Sequence, residues 1–225
     1  MRRCLIVSFY LGDSHFRHIC TQQITDLSLI INENNVEITD EDYTNSVYEI
    51  IFAFFENLRH LTIVLPSSNN YPLLSLYKSP SKTCFSLTLT KLCINAHNFN
   101  DVLALLDGRL KQLTTFVVQV DHINNRISTV YKMNDLPALK YFSLTCYEET
   151  GGYNISVLPL LHRISHLEEL TLYIHITDGS TFITGTHLDN EILIHMPQLH
   201  TFTFYIACET VINDPVIRIS SDDIQ

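Results

Sequence analysis

The stretch Leu139-Lys140-Tyr141-Phe142-Ser143-Leu144-Thr145-Cys146 sets the reading of the whole chain. Its form is Leu-x-x-φ-x-φ-x-φ, where φ is apolar, and its second half alternates apolar with polar residues. Alternation at period two makes a short strand with one buried face. The same form returns at Leu167 (Leu170, Leu172, Ile174) and at Leu199 (Phe202, Phe204, Ile206). Towards the N-terminus it appears at Leu113 (Phe116, Val118, Val120), Leu89 (Leu92, Ile94, Ala96), Leu58 (Leu61, Ile63, Leu65) and Ile24 (Leu27, Leu29, Ile31). Seven copies starting at residues 24, 58, 89, 113, 139, 167 and 199 give a mean spacing of about 29 residues. Every residue at positions four, six and eight is apolar in a chain that is 46% hydrophobic, so chance does not account for the pattern. A weaker eighth copy sits at Leu5, Val7 and Phe9.

Between the strands the apolar period changes to that of a helix. Val47, Ile50, Ile51 and Phe54 follow a Ser46-x-x-Glu49 capping box. Val157, Leu160, Leu161 and Ile164 follow Ser156 as cap, with Pro159 in the first turn where proline is tolerated. Val102, Leu105 and Leu106 follow Asn100, and Leu188 with Ile192 follows Thr186. The segments after Pro66 and after Ile127 are shorter and less regular. One strand with one helix cannot close a core, so consecutive units must stack side by side. The expected fold class is therefore α/β, a solenoid with a parallel sheet on its concave face and helices outside. A doubly wound sheet would carry longer strands and a Gly-rich ligand turn, and the sequence has neither.

The repeat resembles that of the leucine-rich-repeat family, in the irregular, longer-period form found in F-box/leucine-rich-repeat proteins. The Leu-x-x-Leu/Phe-x-Leu cores carry the resemblance, together with Leu136-Pro137-Ala138-Leu139 and Met196-Pro197-Gln198-Leu199 leading into two strands. It implies a horseshoe over residues 24–206, preceded by a flank at 1–23 and followed by a tail at 207–225. It further implies a non-catalytic protein-binding scaffold and, within a ubiquitin-ligase context, a substrate-recognition part. Two features depart from the family. Its asparagine at the ninth position is kept only at Asn32, the other copies holding Pro66, His97, Asp121, Tyr147, His175 and Ala207. The repeats also begin by Ile24, which leaves no room before them for an F-box.

Composition bounds the remaining choices. Fourteen Lys and Arg against 24 Asp and Glu leave a net charge of −10 over 225 residues, which argues against a phosphate-backbone binder. With 17% charged residues, six Gly and seven Pro, the chain is neither disordered nor low-complexity. The longest strictly apolar run, Ile50–Phe55, is far short of the roughly 20 residues of a membrane span. Six cysteines (Cys4, Cys20, Cys84, Cys93, Cys146, Cys208) are scattered without a CxxC pair and read as reduced thiols, hence a cytoplasmic or nuclear protein. The alternative, a secreted recognition protein, rests on Met1-Arg2-Arg3 before the apolar Cys4–Gly12 run and on the sequon Asn154-Ile155-Ser156. No small-x-small cleavage site follows that run; Asp13 and His15 come at once.

Residues between the core leucines point out of the concave face. The third position holds Asp26, His60, Lys91, Thr115, Tyr141, Glu169 and Thr201. The fifth is small or β-branched throughout: Ser28, Thr62, Cys93, Val117, Ser143, Thr171 and Thr203, as crowded strands favour. In the C-terminal half, Tyr141, Glu169, Tyr173 and Tyr205, with Tyr147 and His175 just beyond, gather rings and a carboxylate on neighbouring units. Exposed Tyr is a common interface anchor, although tyrosines on strands also pair with one another. The expected partner-binding set is Tyr141, Glu169, Tyr173, His175 and Tyr205, with a protein as partner and neither nucleic acid nor membrane.

Catalytic readings find little footing. His162 and His166 have the spacing of HExxH, but Arg163 stands where the base should be. His15, His18 and Cys20 cluster without the spacing of a known site. No G-x-S-x-G, P-loop or GxGxxG string occurs, and no lysine follows Gly151-Gly152 to hold a phosphate. Asp40-Glu41-Asp42 and Asp222-Asp223 read as a helix start and a solvated tail. The expectation is no enzyme, no cofactor and no metal, a metal-dependent hydrolase on the histidine clusters being the rival. After Ile206 only Asp214-Pro215 and an alternating Ile217, Ile219 follow. An edge without a cap invites self-association.

Overall fold

The computed structural model describes residues 21–30, 48–64, 73–76, 86–108, 110–124, 136, 138–177 and 183–209. Seven strands occupy them: β1 (Asp26–Ile30), β2 (His60–Val64), β3 (Lys91–Asn98), β4 (Thr115–His122), β5 (Tyr141–Thr150), β6 (Glu169–Ile176) and β7 (Thr201–Cys208). They form one sheet in chain order, and every neighbouring pair is parallel. The α/β class expected from the repeat is present. Each strand starts at the third position of a copy, and those seven residues are register partners in an unbroken row from Asp26 to Thr201. Register matters here because a slip of one residue would turn every core side chain outward.

Backbone hydrogen bonds show how the register is held. The carbonyl at position two of one unit accepts two N–H groups from the start of the next: Thr25 O takes those of Arg59 and His60, and Arg59 O those of Thr90 and Lys91. The same sharing recurs at Thr90, Thr114, Lys140 and Glu168, the last holding His200 and Thr201. Before β2, β4, β5, β6 and β7 the position-one N–H closes a tight turn onto the carbonyl three residues back, as in Leu113 to Leu110, Leu139 to Leu136 and Leu199 to Met196. Leu89 departs from this, its N–H donating to the Ser86 hydroxyl at 3.1 Å.

Position-four residues Leu27, Leu61, Leu92, Phe116, Phe142 and Leu170 are at most 2% exposed and belong to one continuous apolar cluster. The cluster is closed by four helices among the described residues: α1 (Glu49–Phe54), α2 (Phe99–Leu105), α3 (Leu158–Arg163) and α4 (Gly185–Glu191). Ile51, Val102, Leu105, Leu106, Val157, Leu160, Leu161, Ile164, Leu188 and Ile192 are buried, as their spacing predicts. None of the helices is long and apolar enough to cross a membrane.

The caps differ from the sequence reading. Ahead of helix α1 Tyr48 is already helical and makes no side-chain cap; the box expected from Ser46 lies outside the described residues. Helix α2 is capped by Asn98, not Asn100, because β3 runs straight into it. The Asn98 side chain accepts from the Asp101 N–H at 3.2 Å, and the Asp101 carboxylate accepts from the Asn98 N–H at 3.0 Å. Asp101 is fully buried and also accepts from the Leu76 N–H at 2.6 Å. Ser156 does not cap α3: its hydroxyl donates to the Asn124 carbonyl at 3.0 Å, and a π-helical turn over Tyr153–Val157 leads into the helix, with Pro159 in the first turn as expected. Thr184, not Thr186, caps α4 by accepting from the His187 N–H at 3.1 Å. Gly152 packs so tightly that a Cβ there would lie 2.9 Å from the Asn124 carbonyl oxygen.

At the far edge the burial changes. On β7 Phe204 is 51% exposed and Phe202 and Ile206 are half-buried, whereas Leu170, Leu172 and Ile174 at the same positions of β6 are buried. The weak copy at Leu5, residues 65–72 and 77–85, residues 125–135, Asn32, the acidic runs and the tail from residue 210 lie outside the described residues.

Two stability measurements follow. In urea unfolding, Leu170→Asp puts a charge into the core and should cost about 4 kcal/mol or more, while Thr171→Asp, facing away, should cost under about 1 kcal/mol. Equal losses would mean that the faces are assigned wrongly. Asp101→Ala leaves the Leu76 and Asn98 N–H groups without their acceptor and should cost about 2–3 kcal/mol by the same measurement.

Candidate functional site

On β3 to β6 positions four, six and eight are all buried, and positions three, five and seven form the open face of the sheet. The fifth column is small and tightly packed; Ser143 at its middle is itself buried. The third column carries the charge. At its start Asp26 pairs with His60 Nδ1 and accepts from the Thr25 hydroxyl at 2.7 Å. Those two hydrogen bonds, Thr25 first, hold its carboxyl below the ordinary aspartate range.

Further along, Tyr141 and Glu169 are register partners. They border an open groove of about 450 Å³ whose other walls include Lys91, Cys93, Thr115 and Lys140. Lys140 reaches back to pair with Glu168, and that contact pulls the exposed Glu168 carboxyl below its usual range. The groove therefore offers a phenol, a carboxylate and two lysines, one of them paired with Glu168, on a shallow, wet surface. It suits polar contacts with a partner better than enclosure of a small molecule.

The seventh column ends in a shelf of tyrosines. Tyr173 and Tyr205 are register partners with rings stacked at 4.5 Å and 13°. Tyr147 meets the other side of Tyr173 edge-on at 5.1 Å. Tyr147 and Tyr205 are 60% and 55% exposed. Tyr147 reaches this position through a break in register, since Tyr173 partners Thr145 while His175 partners Glu149. Four residues of β5 thus span two of β6, a bulge that swings Tyr147, Glu148 and Glu149 outward. Cys146 turns inward at the same place, with Sγ donating to Glu148 O at 3.3 Å. Burial pushes its thiol up to about 11.

His175 sits half-buried beside the shelf, its Nε2 3.7 Å from Glu209 Oε1. The five expected residues thus fall into two groups, Tyr141 with Glu169 at the groove and Tyr173, His175 and Tyr205 at the shelf. Sequence reasoning did not find Glu149 and Glu209. The bulge that delivers Glu149 has no local signature, and Glu209 follows the last core residue by three positions.

The histidine pair read as HExxH-like is not on one helix, because α3 ends at Arg163 and His166 lies beyond it. His162 instead contacts the Glu191 carbonyl through Nε2 at 2.6 Å and packs its ring 4.0 Å from that of His195. His15, His18 and Cys20 lie outside the described residues. Cys93, Cys146 and Cys208 are free thiols.

The burial of Cys146 has a chemical consequence. In the native chain at about pH 8, iodoacetamide should label Cys146 at least about tenfold more slowly than the half-buried Cys208, the difference vanishing in urea. Peptide mass spectrometry reads both rates, and equal native rates would contradict the closed packing of the bulge. No protein-family model, curated protein or solved structure matches the chain, so the reading of this face stands on its own residues.

Proposed function

We propose that the chain is a leucine-rich-repeat horseshoe that binds another protein on its open, concave sheet face and performs no chemistry of its own. The repeat reading is supported by one short strand per unit of about 29 residues, stacked in parallel and in chain order. The observation that carries the function is the shelf of Tyr147, Tyr173 and Tyr205: two largely exposed rings braced by a third. Braced tyrosines offer broad apolar area and hydroxyls with little rotamer entropy left to lose, the properties of interface anchors. Ring stacking across strands contributes stability as well, but a purely structural role does not call for this exposure. The free cysteines support a reducing compartment, cytoplasm or nucleus. The half-exposed core positions of β7 support self-association at that edge. A substrate-recognition role in a ubiquitin-ligase context rests on the family resemblance.

Affinity capture from lysate, read by quantitative mass spectrometry, tests the reading. A shelf variant (Tyr147→Ala, Tyr173→Ala, Tyr205→Ala) and a groove variant (Tyr141→Ala, Glu169→Lys), each shown by circular dichroism to be folded, are compared with the wild type. A specific partner should be retained by the groove variant more strongly than by the shelf variant, which should lose it by tenfold or more, about 1.4 kcal/mol. Identical capture by all three proteins would move the binding surface off this face.

A further inference from the structure

We propose that Glu149, His175 and Glu209 bind one divalent transition-metal cation of the zinc class. One ligand atom from each residue lies within 4.8 Å of the other two, and His175 Nε2 and Glu209 Oε1 are already 3.7 Å apart. Metal–ligand bonds of ~2.0–2.2 Å at tetrahedral angles place donor atoms ~3.4 Å from one another. Closing the set takes about an ångström of movement, which the exposed side chains of Glu149 and Glu209 can make by rotation about their own bonds.

The backbone under these three residues is fixed on both sides. Glu149 and His175 are direct register partners, and the next step of the ladder, Thr150 with Ile176, is closed by the Thr177 N–H donating to Thr150 O at 3.0 Å. On the other side the Glu209 N–H donates to Ile176 O at 2.8 Å, which anchors that residue just past the end of β7. Three consecutive units thus each present one donor near the C-terminal ends of their strands: Glu149 level with His175 because of the bulge in β5, and Glu209 two residues beyond Ala207, the partner of His175 on β7. Held backbones and short side-chain reach are what a metal site needs from its scaffold.

The donor set selects the ion class. One imidazole nitrogen with two carboxylate oxygens suits zinc and its first-row neighbours, whereas magnesium and calcium favour oxygen alone. Two carboxylates close together also favour a cation between them on electrostatic grounds. Tyr173 lies two residues before His175 on the same face of β6. Three protein ligands leave coordination positions for water or for a donor from another molecule. This inference does not depend on the partner-binding reading.

Zinc titration of the full chain by isothermal calorimetry, checked by competition with a fluorescent chelator, tests it. The wild type should take one zinc at this site, and Glu209→Gln and His175→Ala should each weaken it by at least about tenfold. Excess magnesium should not displace the zinc. His195→Ala removes half of the separate His162–His195 pair and should leave this affinity unchanged. Circular dichroism verifies folding, and Glu209→Gln, at an exposed position, carries the test should His175→Ala unfold. No saturable zinc binding up to about 1 mM, undiminished binding by Glu209→Gln, or loss in His195→Ala alone would each overturn the proposal.

Discussion

A single carbonyl oxygen in each unit, at position two of the repeat, fixes the start of the next strand by accepting two of its N–H groups. Everything on the sheet depends on that point, since it sets register before any side chain is consulted. With register set six times over, the apolar residues at positions four and six fall into continuous rows, and each unit completes its neighbour's core. A unit taken alone would leave its leucines in water, so the stability of any one strand belongs to the stack. The tight turn before the strand serves the same end, because it delivers the position-one leucine inward and the position-two carbonyl towards its neighbour.

Where register is kept, the open face is plain: small residues in the fifth column and an in-register row in the third. Where it breaks, chemistry-bearing side chains collect. The bulge in β5 brings Tyr147 onto Tyr173 and Glu149 beside His175, just after the core residue Cys146. Bulges re-aim side chains by inserting residues that the partner strand does not match. Here the insertion sits near the C-terminal ends of parallel strands, the end at which open α/β sheets present their ligand groups.

The strands were legible in the sequence because burial of one face writes a period-two pattern, and seven copies make that pattern hard to mistake. The buried helical faces were legible for the same reason at period 3.6. The caps were not, and each miss has a local cause. Asn98 was hidden because it closes a strand and opens a helix at once. Ser156 looked like a cap, but the carbonyl of Asn124, 32 residues away in sequence, claimed its hydroxyl. Of the candidate site, Tyr141, Tyr173 and Tyr205 were readable since their columns follow from register alone. The carboxylates beside His175 were not, since Glu149 depends on the bulge and Glu209 on where β7 ends.

Among the described residues, β7 is the last strand of the sheet, and Tyr205 lies both on it and on the open face. Strand β7 carries no charged residue from Thr201 to Cys208, although the chain as a whole bears a net charge of −10. Sheet edges are commonly guarded by lysine, proline or inward charge, and none of these stands on β7. A molecule approaching along the sheet would meet an uncharged strand whose core-face residue Phe204 and open-face residue Tyr205 are both exposed. Tyr205 in turn stacks on Tyr173, which contacts Tyr147, so occupancy of the edge and order on the shelf are joined through a chain of three rings. A partner that extended the sheet at β7 would therefore also fix the outermost ring of the shelf, and one docked on the shelf would cover part of the edge. Tyr205 therefore belongs to both surfaces at once: its backbone lies on the last described strand of the sheet and its ring on the shelf.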